Sequence, residues 1–81
     1  MELIVGNKRV VPEALHRIAG GVEVELAGEA LTSLLDATFG GGGSIELWGE
    51  HGPEALDVAD IRMVGRATTV TLHARKALAL H

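Results

Sequence analysis

In "VEVELAGEALTSLLDATF", residues 22–39, the spacing of apolar side chains changes from every second residue to every third or fourth. Val22, Val24 and Leu26 alternate with Glu23 and Glu25, the period of a strand with one buried face. Leu31, Leu34, Leu35 and Phe39 then fall on one stripe of a helix, with Glu29, Ser33 and Asp36 directed to water. A chain that makes this switch builds its core from a sheet and a helix together.

The flanking segments extend the pattern. "ELIV" and "KRVV" around "GN", and "IRMV" and "ATTVTLHA" around "GR", read as two β-hairpins whose glycines accept a positive φ. In the second, Val70, Leu72 and Ala74 share one face and Thr69, Thr71 and His73 the other. "SIELW" reads as a strand, with Trp48 as its core anchor or as an interface residue, a setting in which Trp is over-represented. "GEHGP" reads as a loop and "EALDV" is ambiguous, its Asp and Val favouring an extended form. "PEALHRIAGG" has helix punctuation: Pro12 at the first position, Glu13 in the first turn, Gly20 as the cap, Leu15 and Ile18 facing inward. "RKALALH" extends the last strand or curls into a terminal turn. The expected fold is therefore α+β, a single small domain over 1–81, with a mainly antiparallel sheet of about five to six strands and two helices packed on one face.

An internal echo runs through this pattern. "ELIVGNKRVVPEAL" and "ELWGEHGPEAL" share an "EL…G…PEAL" skeleton. Duplication with pseudo-twofold symmetry produces such an echo, and so does chance in a chain rich in Glu, Ala and Leu.

Residues 40–44, "GGGGS", form a Gly-rich linker between the helix and the next strand. A phosphate cradle is excluded, because the run follows a helix C-terminus and no lysine lies between Arg9 and Arg75. The composition is that of a flexible spacer, and consecutive glycines are entropically costly to order. An engineered graft, replacing a longer loop or joining permuted termini, and a natural Gly-rich loop both stay open.

At 81 residues the core is barely sufficient to stabilise a lone domain, and without cysteine no disulfide reinforces it. Mean hydropathy is +0.26 with one Phe, one Trp and no Tyr, so the apolar content is aliphatic. That surplus favours association with a protein partner, self or other, with a homo-oligomer preferred. No stretch reaches the roughly 20 apolar residues of a membrane helix, and "MELIVGNKRVV" does not follow the pattern of a secretion signal. A soluble, cytoplasmic protein is the expectation.

The net charge of −4 conceals a segregation: residues 1–20 sum to +1, 21–60 to −9 and 61–81 to +4. Either the basic ends pair with the acidic middle inside the fold, or opposite faces dock between molecules. An acidic middle repels a phosphate backbone, so nucleic-acid binding is not expected.

Candidate chemistry is sparse. His16, His51, His73 and His81 lack the i, i+4 spacing of a helical zinc site. A Ser44, His51 and Asp57 triad has neither nucleophile elbow nor oxyanion hole. Asp57 and Asp60, three apart on an extended segment, point to opposite faces. The expected function is a non-catalytic protein–protein interaction module (assembly subunit, adaptor or small inhibitor), with no cofactor, no metal and no catalytic set. Its candidate contact residues are Trp48, Glu50, His51, Arg62 and Arg66. The alternative is a small-ligand or metal-binding domain or enzyme using the Glu50/His51 loop and the central acidic residues.

Overall fold

The computed structural model describes residues 2–40, 43–50 and 52–75, and of Val64 the backbone. Both hairpins form where their turn glycines place them. β1 (Glu2–Val5) and β2 (Lys8–Val10) close at Gly6, φ 64°, while β6 (Gly52–Val64) and β7 (Ala67–Ala74) close at Gly65, φ 65°. "VEVEL" lies in β4 (Gly21–Leu26), "SIELW" supplies β5 (Ile45–Gly49), and α1 spans Gly28–Phe39. The segment "RKALALH" lies, beyond Arg75, outside the described residues.

The expected second helix is instead a strand, β3 (Ala14–Ile18), paired antiparallel with β4 from Ala14↔Glu25 to Ile18↔Gly21. The features that imitate helix caps have other uses here. Pro12 lies in the link between β2 and β3, and Gly20, φ 81°, turns the β3–β4 hairpin. Two turns of helix are marginal in water, whereas five residues beside β4 gain a full ladder of backbone bonds. Leu15 faces the core as expected, but Ile18 faces outward beside Gly21.

Among the described residues, the expectation of five to six strands with two helices is thus replaced by a curled half-barrel: seven antiparallel strands in the order β2-β1-β5-β6-β7-β4-β3, with one helix. Every neighbouring pair is antiparallel, so the two outermost strands, β2 and β3, run in the same direction. They are also consecutive in the chain, joined by residues 11–13 alone. Residues 8–18 are therefore one bent run that pairs first with β1 and then with β4. The thirteen-residue β6 has the same design, pairing through its first half with β5 and through its second with β7.

This arrangement has an internal dyad. A shift of 44 positions carries the closing pair Val5/Lys8 onto Gly49/Gly52, and a shift of 46 carries Ile18/Gly21 onto Val64/Ala67. The same shifts map the β1–β5 and β4–β7 ladders onto themselves, with Leu3 opposite Leu47 and Val24 opposite Val70 at the axis. The "EL" part of the sequence echo coincides with this symmetry. The "PEAL" part does not, since residues 53–56 correspond to 9–12 rather than to 12–15.

The concave face holds the core. Leu3, Leu47, Val24 and Val70 are at most 1% exposed, and Leu34 of α1 fills the space between the curled edges at 0%. Leu31 is partly buried against the same cluster. Phe39, expected on the buried stripe, is instead 73% exposed at the helix end. No helix among the described residues is long and apolar enough to cross a membrane.

Gly21 is dictated by packing rather than by φ: a Cβ there would run into the Leu72 carbonyl oxygen and stand 2.9 Å from His73 Cα. Gly21→Ala is expected to lower stability by about 1–3 kcal/mol through overpacking. Leu34→Ala should cost about 2–5 kcal/mol through the cavity it leaves. Urea midpoints at unchanged m-value measure both.

Candidate functional site

The strand registers sort the outward side chains into two fields. On β2, β1, β5 and the first half of β6, Glu2 lies opposite Trp48 and Trp48 opposite Pro53. In the adjoining row Arg9, Ile4, Glu46 and Ala55 follow one another across the strands. The centre of this field is apolar, with Trp48 44% exposed and Ile4, Pro53 and Ala55 around it. Its rim is charged. Trp48 Nε1 donates to Glu46 Oε1 at 3.3 Å, and Arg9 Nε lies 2.9 Å from Glu2 Oε2.

Trp48 is thus not the core anchor of its strand. Leu47, its neighbour, takes that role at 1% exposure. The alternation in "SIELW" already separates Ile45 and Leu47 from Glu46 and Trp48, and that signal could have placed Trp48 outside.

The second field, on the rest of β6, β7, β4 and β3, is polar. Its rows read Asp57, His73, Gly21, Ile18, then Asp60, Thr71, Glu23, His16, then Arg62, Thr69, Glu25, Ala14. A β-bulge between Val58 and Asp60 puts one extra residue into β6. Asp57 and Asp60 consequently stand opposite His73 and Thr71, two residues apart, and share a face instead of pointing apart. Arg62 Nη2 is 3.5 Å from Asp60 Oδ2. Among the described residues no group of three or more His, Asp or Glu side chains is placed to hold a metal ion.

The candidate contact residues are not brought together. Glu50 is exposed at the end of β5, close along the chain to Trp48, and His51 lies outside the described residues. Arg62 and the exposed Arg66 are at the far end of β6, in a molecule 43 Å long. Of the proposed triad, Ser44 precedes β5 and its backbone oxygen accepts from Gly6 N at 2.7 Å, while His51 is not described. In the Gly-rich linker, Gly41 and Gly42 lie outside the described residues, and Gly43 packs on Ala37 of α1. A shallow groove of about 460 Å³ runs between β2 and α1, lined by Lys8 and Val11 on one wall and by Glu29, Ser33 and Asp36 on the other.

Ion pairs account for part of the charge segregation. Arg17–Glu54 at 3.4 Å, Arg62–Asp60 and Arg75–Asp57 each join a cation of the basic ends to an acid of the central stretch. All are substantially exposed and individually weak. No family model, curated protein or solved structure matches the chain at a significant level.

The best-formed pair is Arg75 with Asp57, a two-pronged contact of 3.1 Å from Nε and 2.6 Å from Nη2, beside Arg75 N–H donating to Ala55 O at 2.8 Å. The Arg75 hydrogen bonds hold the Asp57 carboxyl below its usual range, and the carboxylate raises Arg75 in return. A carboxyl depressed on folding stabilises the fold above its unfolded value, roughly 3.9, and loses that contribution as pH falls through the folded value. Asp57→Asn is expected to lower the urea midpoint slightly at pH 7 and to bring it level with wild type in strong acid. The comparison at pH 7 and pH 2 checks the sign.

Proposed function

We propose that this chain is a non-catalytic protein-interaction module that associates with its own kind, and that the Trp48 field is its contact surface. The observation that carries this reading is the outward Trp48 at the centre of Ile4, Pro53 and Ala55, with Glu2, Glu46 and Arg9 as the rim. An apolar centre with a tryptophan and a charged border is the anatomy of an interface hot spot. The polar second field, with its ion pairs and threonines, is suited to solvent.

The residues expected to contribute are Trp48 and Glu50 at this end, with the Glu2–Arg9 pair fixing orientation rather than supplying affinity. Sedimentation equilibrium over increasing protein concentration tests the proposal. Wild type should self-associate reversibly. Trp48→Ala should weaken association by at least about 30-fold, the equivalent of a 2 kcal/mol hot spot, with an unchanged urea midpoint. A wild type that stays monomeric over the whole range, or a Trp48→Ala variant that associates equally well, overturns it.

A further inference from the structure

The dyad has a consequence for how two copies can meet. Residues 2–39 form three strand runs and α1, and residues 45–75 form three strand runs. Within each half the hairpins are local. Between the halves, the strand contacts are the β1–β5 and β4–β7 ladders, and each is self-complementary about the axis. The helix goes with the first half, where it touches β1 and β2. The only covalent connection between the halves is the run 40–44.

We propose that the partner of this chain is a second copy engaged by exchange of halves, residues 2–39 of one molecule pairing with residues 45–75 of another. The inference rests on the reading of the chain as self-associating and names a route that does not use the Trp48 field. Both ladders would be re-formed between molecules with the same registers, so the core of each barrel would be unchanged. Single molecule and exchanged pair then differ mainly in the connection and in concentration.

The connection is the lever. In the single molecule Gly43 lies so close to α1 that a Cβ there would stand 2.5 Å from Ala37 Cβ, a position only glycine fills without a shift. A short flexible link holds its halves at an effective concentration of roughly millimolar. Exchange therefore becomes favourable when chains are refolded together at comparable concentration, or at lower concentration when the link between the halves is shortened by deletion of Gly41, Gly42 and Gly43.

The cysteine-free chain makes the test direct. Glu23 on β4 faces Thr71 on β7, and both point outward in the polar field rather than in that of Trp48. Ala74 N–H donates to Gly20 O in this ladder, which makes Glu23/Thr71 a pair without mutual backbone bonds, where side chains approach most closely. His16 faces Glu23 within the first half, across a hairpin that exchange leaves intact. Glu23→Cys chains and Thr71→Cys chains, both in the Trp48→Ala background, are mixed, refolded at high concentration and oxidised. A mixture of His16→Cys and Glu23→Cys chains serves as the control.

The expected result is a mixed disulfide dimer from the first pair and none from the control, with a larger yield when Gly41–Gly43 are deleted. No mixed dimer from the first pair, or the same yield from both, overturns exchange. Self-association by unmutated Trp48 chains without this cross-link sinks exchange alone and leaves the surface reading standing. Cross-linking in the Trp48→Ala background supports exchange whether or not the Trp48 surface also mediates association.

Discussion

The fold depends on two ladders that local sequence cannot make by itself: β1 on β5 and β4 on β7. Each brings together residues forty or more positions apart, and each is centred on a like-with-like apolar pair, Leu3 with Leu47 and Val24 with Val70. Their side chains are almost fully withdrawn from water. At about 25 cal/mol per Å² of apolar surface, these positions carry much of the driving force, and they deliver it only after the long connections have closed. Folding dominated by such non-local pairing is slow relative to a helical domain of the same size. The hairpins supply the local structure, while the two ladders decide that it closes around one core.

Closure also requires strands that change partner. Residues 8–18 leave β1 for β4 at Val11–Pro12–Glu13, and residues 52–64 pass from β5 to β7 at Leu56, with the bulge at Ala59 following inside the β6–β7 ladder. The two devices occupy corresponding places, since the 46-position shift sets Ala59 on Glu13. A proline has no N–H to offer a ladder, so it costs nothing where a strand is between ladders. A bulge reaches the same end by adding a residue and increasing local twist. Two different local chemistries thus accompany the change of partner in the two halves.

That difference also sets how much was legible beforehand. The α1 helix and β4 were plain because their apolar periods are unbroken for a full element, and both hairpins were plain because a glycine marks each turn. β3 was misread because Pro12, Glu13 and Gly20 supply helix punctuation around a segment too short for its period to contradict them; pairing with β4 then overrode the local signal. The thirteen-residue β6 was obscured by the bulge, which breaks alternation between Asp57 and Asp60 and turns two supposedly opposed carboxylates onto one face. Trp48 was legible in principle, as its alternation with Leu47 placed it outside, but size and hydrophobicity argued for the interior. Its setting with Ile4 and Pro53 was not legible, because it needs the β1–β5–β6 registers.

The charge pattern follows from the same geometry. Most acidic residues of positions 21–60 lie on β4, β5, β6 and α1, while the cations of positions 1–20 and 61–75 lie on β2, β3 and the end of β6 or flank β7. Arg17 reaching Glu54 is the clearest instance: both lie on the concave side, on strands three places apart in the sheet, and only a curled sheet lets them touch. Because these pairs are exposed, their attraction is weak in water and contributes little to stability. They bear instead on register, since a one-residue slip of β3 would turn Arg17 away from Glu54 and expose Leu15 in the same movement. Charge therefore reinforces a closure that apolar burial drives. This leaves the outer surface as the place where an unpaired apolar centre, the one around Trp48, stands out from its surroundings.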